Sequence, residues 1–233
     1  MSASIPQYEV IEGIVSQLQK QSTHVHYLKS IKREQQFAGA VAVIQAATGQ
    51  AGAILSAQIA TDEGDPVEGF IMQVGEHQVT GSFWKTTFKD SDHVQVVGKF
   101  YKGVFHAVAV TKPEERMIWM QPHAERGTRA KARHLLKCSG WFVLFGYLCA
   151  LLLTLFTRMP LWANLLCMSV SIPVILLVTV GMSWGDFMGF SSQMNGVGAA
   201  LGLPESENLD LFKSTKQAKA EGKPDVPMGV YYY

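Results

Sequence analysis

The longest feature of the hydrophobic pattern is a pair of uncharged apolar segments in the second half of the chain. Residues 138–157 contain no charged side chain, and neither do residues 159–185. A bilayer core about 30 Å thick needs about 20 apolar residues of α-helix, so each segment is long enough to span it. Their connection, Thr157 to Pro160, is so short that the two helices must run antiparallel. The pattern therefore predicts a two-helix transmembrane hairpin over residues 138–185.

Tryptophans and basic residues mark the ends of this predicted hairpin. Trp141, Trp162 and Trp184 lie where the amphipathic indole rings of membrane proteins belong, at the two interfaces. A basic juxtamembrane stretch, residues 124–137, precedes the hairpin, whereas the turn carries Arg158 alone. The positive-inside rule then predicts both termini in the cytoplasm and the hairpin in the inner membrane. The basic residues expected to fix this topology, or to bind anionic lipid, are Arg126, Arg129, Lys131, Arg133 and Lys137.

Short β-branched and aromatic runs dominate the first 123 residues, which we assign to a soluble β domain. Residues 8–18 are typical of one strand, and turn residues divide the region 67–120 into five more. The runs in that region are 67–74, 78–88, 93–101, 104–111 and 116–120. This spacing predicts a small antiparallel barrel, either SH3-like or OB-like. The charges along the strands are mixed and core packing accounts for the aromatic residues, so nucleic acid is not expected as a partner.

An uncharged insert, residues 35–61, interrupts the β domain after its first strand. Its small residues are spaced to lie along one side of a helix, at Ala42, Ala46, Gly49, Ala53 and Ala57. Its polar residues make it a poor membrane span by itself. One interpretation is an Ala-rich helix or helical hairpin packed on the barrel or on a neighbouring subunit. The other is a membrane element, stable only in a homo-oligomer, whose candidate pore-lining residues are Gln45, Gln50, Ser56 and Gln58.

Residues 186–233 form a predicted amphipathic C-terminal segment and tail. The glycine-rich stretch 189–203 is apolar enough to lie at the membrane interface. A short helix is expected from about Pro204 to Ala220, because acidic residues come first and lysines follow, as the helix dipole favours. Residues 226–233 should be extended, and they need a partner surface in order to be ordered.

Composition and motifs mainly exclude classes of function. The formal net charge is +1, so no overall electrostatic attraction to nucleic acid is expected. The chain has no HExxH, CxxC pair, GxSxG, Walker or GxGxxG motif in a suitable context, so we predict no enzyme, metal site or cofactor. The predicted fold is an α+β membrane protein, in which a small β-barrel-like domain with an Ala/Gly-rich helical insert precedes the transmembrane hairpin.

Two short sequences and the order of these parts suggest a family. The sequences are Gly81-Ser82-Phe83 in the second barrel strand and the run 117–123, MIWMQPH, with Arg126-Gly127 after it. Over residues 8–185 the chain resembles small bacterial membrane proteins catalogued as type VI secretion system effectors. The resemblance implies a toxin that enters competitor bacteria and makes their inner membrane leak ions.

Two classes of function follow from the sequence. The first is an oligomeric effector that permeabilises the inner membrane, with an immunity protein or a secretion-system component as partner. The second is a non-enzymatic binding protein, an immunity or assembly factor, which is anchored in the inner membrane and captures a partner with its β domain. The basic stretch fits insertion from the cytoplasm better than insertion from the periplasm, which is evidence against the simplest toxin model, and both classes stay open.

Overall fold

The computed structural model describes residues 7–25, 65–154 and 160–233. Seven strands and three α-helices lie in these ranges. The strands are β1 (Glu9–Val25), β2 (Asp65–Val74), β3 (His77–Phe83), β4 (His93–Tyr101), β5 (Val104–Lys112), β6 (Met117–Met120) and β7 (Val230–Tyr232). The helices are α1 (Thr128–Thr154), α2 (Leu161–Ala200) and α3 (Leu211–Ala220), with short 3₁₀ turns at Pro113–Glu115 and Ser206–Asn208. The predicted α+β class is confirmed. The insert 35–61 lies outside the described residues, so nothing in the fold tests its assignment.

The first five strands close into a barrel. The sheet order is β3-β2-β1-β4-β5-β6-β7, and a further pairing between β3 and β5 joins the two sides. That closing pair is parallel, with Val79 opposite Phe105 and Thr80 opposite His106, whereas the other pairs are antiparallel. The prediction of a barrel is confirmed, but it is not antiparallel throughout. A parallel closure between the third and fifth strands is the topology of the OB-like alternative.

The first strand is longer than predicted, and its two halves pair with different strands of the barrel. Residues 9–14 pair with β4, and residues 15–25 pair with β2. Between the two halves the register shifts at Ser16 and Gln19, and Gln17 takes a positive φ of 53°. The polar half beyond Leu18 was not predicted as strand, because it has no apolar alternation. Backbone pairing with β2 keeps it extended instead.

The strand predicted over residues 78–88 ends early at Phe83. Residues 84–92 instead form a loop across one end of the barrel. The Lys20 ammonium donates hydrogen bonds to the carbonyl oxygens of Thr86 and Phe88, at 2.7 and 2.9 Å. The Phe88 ring fills the barrel end, where it meets Phe70 and Trp119 edge-on. The strand prediction fails for residues 84–88 because Phe88 is buried through the loop rather than through the sheet.

The core has two layers, one inside the barrel and one outside it. Inner side chains of β2, β3, β4 and β5 surround Trp119, which is 1% exposed. On the outer side, Val97 and Val108 pack against Met194 and Val197 of α2. Strands β4 and β5 are therefore buried on both faces, which explains their nearly continuous apolar sequence.

The two predicted apolar helices are present but extend further than the uncharged segments. Helix α1 begins at Thr128, so most of the basic stretch 124–137 forms its first turns. Helix α2 continues through Gly185 to Ala200, so residues 189–200 are helical and pack on the barrel. The predicted placement of this glycine-rich stretch at the membrane interface stays a prediction. Packing against β4 and β5 stabilises a helix that glycine content alone disfavours.

The C-terminal prediction is confirmed in outline. Helix α3 starts at Leu211, later than expected, because the Asp210 carboxylate caps it by accepting from the backbone N–H of Lys213 at 3.2 Å. The tail does find a partner surface, since β7 pairs antiparallel with β6. Val230, Tyr231 and Tyr232 are at most 5% exposed, so the tail completes the core.

Candidate membrane-spanning hairpin

Helices α1 and α2 form an antiparallel pair. Thr128 contacts Asn195 at one end, and further along Gly146 lies against Ile172, so the residue numbers run in opposite directions. A Cβ added at Gly146 would sit 3.4 Å from the Ile172 Cδ1 atom. The α1 residues half-buried along this seam recur every three or four positions, at Ala132, Leu135, Ser139, Val143, Gly146 and Ala150. Small side chains in such a seam let two helices approach closely.

Away from the seam, both helices expose large apolar side chains. At about 100° per residue, the exposed residues of α1 from Leu136 round to Phe142 cover an arc of about 240°. On α1 they are Leu136, Trp141, Phe142, Leu144, Phe145, Leu148, Leu151 and Leu152. On α2 they include Trp162, Leu165, Leu166, Val170, Val174, Leu177 and Trp184. A protein partner on one side would cover one face, whereas the described large apolar side chains of α1 extend around most of that helix away from the seam.

The dimensions of the hairpin match a bilayer. Among the described residues, one helix, Thr128–Leu152, is long and apolar enough to cross a membrane, with a mean hydropathy of 1.8, and none of that apolar window is buried. A core helix of similar composition would be buried. On α2, Trp162 and Trp184 are 22 positions apart, which corresponds to about 33 Å of helix. The hydrocarbon core of a bilayer is about 30 Å thick.

The three predicted interfacial tryptophans are all exposed, at 72% for Trp141, 70% for Trp162 and 40% for Trp184. Trp162 lies at the tip of the hairpin. Trp141 and Trp184 lie toward its base, on the side of the barrel. Their distribution along the helix axis is the one expected of two interfacial belts.

Two hydrogen bonds join the helices at the base of the hairpin. The Asn195 carbonyl oxygen accepts from the backbone N–H of Thr128 at 3.1 Å, and its amide nitrogen donates to the Thr128 hydroxyl at 2.9 Å. Asn195 is 3% exposed. Since Thr128 is the first residue of α1, its N–H has no partner within the helix, and Asn195 supplies one. Sequence reasoning missed this contact, because a single asparagine in a glycine-rich stretch gives no long-range signal.

The five basic residues of the juxtamembrane stretch have different surroundings. Arg126 forms an ion pair with Asp210 at 3.0 Å and lies over the Phe212 ring. Lys131 is only 7% exposed, and its ammonium lies 5.1 Å from the centre of the Phe187 ring. These two residues therefore make contacts within the protein. Their predicted role in lipid binding or topology stays a prediction, and they are less available to lipid than expected.

The remaining basic residues face outward. Arg129 pairs with Glu207 at 2.7 Å, and Arg133 donates to the side-chain oxygen of Asn208 at 2.8 Å. Lys137 is exposed. With Arg133 and Lys137 four residues apart, their side chains share one face of α1 at the level where the apolar surface begins. Basic side chains at the edge of an apolar helix surface are typical of the headgroup level in membrane proteins.

His123 links the base of the hairpin to the start of β2. Its Nε2 atom lies 3.2 Å from a carboxylate oxygen of Asp65, and its ring contacts Trp84 and Phe190. The backbone of His123 has a φ of 69°, in the left-handed region that residues other than glycine seldom occupy. The surrounding contacts hold it there. Asp65 is also the first described residue after the insert.

The predicted packing and pore-lining residues of the insert lie outside the described residues, so their roles stay predictions. Within the described residues, the structure contains no group of three or more histidine, cysteine or acidic side chains that could hold a metal ion. At the other end of the barrel, Phe100 and Tyr101 are each 43% exposed, and the Lys99 ammonium lies over the Tyr8 ring. Burial raises the pKa of Tyr8 to about 12.

Comparison with protein families, with curated proteins and with solved structures finds no match.

Proposed function

We propose that the chain is an integral membrane protein whose two-helix hairpin spans the bilayer and holds the barrel at its surface as a binding domain. The observation that carries this proposal is the row of large exposed apolar side chains on α1 and α2, which extends over about the thickness of a bilayer. In water, such a surface would cause aggregation, whereas lipid tails solvate it. The continuous helix α2 supports an anchoring role, because it carries the barrel without a flexible linker.

A flotation experiment with liposomes tests the proposal. Leu148 and Val170 are exposed and lie near the middle of the apolar length of their helices. A charged residue at such a position costs about 2.5–3.5 kcal/mol of insertion free energy on translocon scales. The wild type should therefore float with liposomes and resist carbonate extraction, and the double variant Leu148→Arg, Val170→Arg should do neither.

A matched control is the substitution Tyr101→Arg, which places the same charge at an exposed aromatic residue of the barrel. It should float like the wild type. Equal flotation of the hairpin variant, or extraction of the wild type by carbonate, would contradict membrane insertion.

A second candidate is the ion-permeabilising effector that the sequence resemblance suggests. One observation favours it: the chain leaves the described barrel at Val25 and re-enters at Asp65, which contacts His123 beside the base of the hairpin. The predicted pore-lining residues lie between those two points. The α1 residues named above for the seam are small or apolar, so they give ions no polar path along α1, and permeation would require several copies.

Planar-bilayer recording on the purified full chain distinguishes the two candidates. An effector should give discrete current steps, and joint replacement of Gln45, Gln50, Ser56 and Gln58 by leucine should abolish them while flotation persists. A wild type that floats but gives no steps at any voltage is the anchored binding protein.

A further inference from the structure

We propose that the barrel lies on the bilayer through one particular end, with phospholipid headgroups as its partner. We call this the proximal end and define it by His24, Asp65, Val67 and Trp84. The opposite, distal end is defined by Tyr8, Glu76, Phe100 and Lys102. The inference rests on the proposed insertion of the hairpin and adds the orientation of the soluble domain.

The order in which barrel residues follow the hairpin can be read along α2, because it is one helix from the tip of the hairpin to the barrel. Leaving the hairpin at Trp184, it first meets the barrel at Phe190, which packs on Val67 with Trp84 beside it. It next contacts Val97 and Val108 through Met194 and Val197. Its last turn reaches the cleft formed with Tyr8, Lys99 and Phe100. The proximal end is therefore the nearer one to the bilayer.

Helical rise converts this order into distances. Phe190 is six residues beyond Trp184, which is about 9 Å along the axis, whereas Ala200 is sixteen residues beyond it, which is about 24 Å. Each headgroup layer is about 5–8 Å thick, as the difference between the full bilayer and its hydrocarbon core. With Trp184 at the interface, the proximal end borders the headgroups and the distal end stands clear of them. A typical tilt of about 20° changes these distances little.

The strands of the barrel give the same order independently. Strand β2 starts at Asp65, beside His123 and near Phe190, and ends at Val74 next to the Gly75–Glu76 turn. His77, just after that turn, contacts Phe100 at the distal end. Nine steps of strand correspond to about 30 Å. Strand β1 runs the opposite way, from the distal end at Glu9 to the proximal end at Val25, which pairs with Asp65.

The chemistry at the proximal level suits anionic headgroups. The antiparallel pairing of the helices places Arg133 and Lys137 of α1 at the levels of Phe190 and Trp184, and both basic side chains face outward. Lys85, next to Trp84, is also exposed, although it pairs with Glu68 at 2.8 Å. Basic and tryptophan side chains together are typical of proteins that contact an anionic lipid surface.

Site-specific fluorescence quenching in vesicles tests this orientation. In a full-length chain with its three cysteines replaced by serine, a single cysteine is introduced by His24→Cys or by Glu76→Cys, both at exposed positions. The labelled proteins are reconstituted in vesicles of equal parts phosphatidylcholine and phosphatidylglycerol that contain a lipid with a nitroxide on its headgroup. We expect several-fold stronger quenching at position 24 than at position 76.

A second pair, Ser22→Cys and Gln78→Cys, repeats the comparison at other exposed positions in case one variant does not fold. Flotation of the same samples separates the two proposals. Variants that float with equal quenching at both ends, or with stronger quenching at the distal end, overturn the orientation and leave membrane insertion standing. Proteins that do not float overturn both.

Discussion

At the scale of single residues, polar groups in apolar surroundings hold the molecule together where its parts meet. The side-chain oxygen of Asn195 in α2 accepts a hydrogen bond from the backbone N–H of Thr128, the first residue of α1. Glu68 accepts hydrogen bonds from the Lys85 ammonium and the backbone N–H of Thr86, both at 2.8 Å. Burial alone would raise the pKa of Glu68, but these two hydrogen bonds and the nearby lysines outweigh it and lower the pKa. Each of these contacts joins atoms that are close in space but belong to residues far apart in the sequence.

The substitution Asn195→Ala should destabilise the joint between hairpin and barrel. It removes two hydrogen bonds and leaves a partly buried N–H and hydroxyl at Thr128 without this partner, which costs about 1–3 kcal/mol. Denaturant unfolding in detergent, followed by tryptophan fluorescence, measures the loss. Asn208→Ala is the control, because Asn208 makes its hydrogen bonds at the solvent-exposed surface. Equal losses for the two variants would show that the Asn195 contact contributes nothing special.

Stability should also fall in acid through Glu68. Because the folded-state pKa of this carboxyl is lowered, its contribution is complete above the pKa of an unfolded glutamate and disappears as the pH falls through the folded-state value. The variant Glu68→Gln should therefore be less stable than the wild type at neutral pH, and the difference should shrink in acid. Unfolding free energies measured at both pH values check this, and a difference that does not change with pH would contradict it.

At the scale of secondary-structure elements, the stability of the hairpin depends on the close approach of α1 and α2. A Cβ at Gly146 would already be in contact with Ile172, so the further side-chain atoms of Gly146→Leu should push the helices apart, and such overpacking costs about 1–3 kcal/mol. Gly140 lies on the same helix, and a Cβ added there would meet nothing within 4 Å. Gly140→Leu is therefore the matched control, with the same loss of glycine. Thermal unfolding in detergent should show a lower midpoint for the Gly146 variant only.

At the scale of the whole molecule, the two ends of the described chain belong to one folded body. Gln7 lies beside the barrel, and Tyr233 follows β7, so both lie on the barrel side of the hairpin. With Arg129, Arg133 and Lys137 on that side as well, the positive-inside rule predicts that a membrane-inserted chain has this side in the cytoplasm. Reporters fused before Ser2 and after Tyr233 should both report cytoplasm, and a tag at Arg158 should be labelled from outside. Labelling of the termini instead would contradict this topology.

The sequence by itself determined the features that depend on local pattern. Strand runs between residues 67 and 120 and the two apolar helices were predictable, because burial against a core or against lipid imposes a period or a length that neighbouring residues show. The extended C-terminal tail and its need for a partner were predictable for the same reason. The continuation of α2 past Gly185 was not, because its glycine-rich end is helical only through contacts with Val97 and Val108.

Only the tertiary structure decided which distant segments meet. The parallel pairing of β3 with β5 closes the barrel, and nothing in the sequence of either strand indicates that the two strands pair. The burial of Lys131 under Phe187 and the contact of Asp65 with His123 likewise join parts of the chain more than fifty residues apart. Local pattern records whether a residue faces water or apolar surroundings. Which surface supplies those surroundings is fixed by packing of the whole chain, and for this protein that packing sets which end of the barrel lies nearer the hairpin.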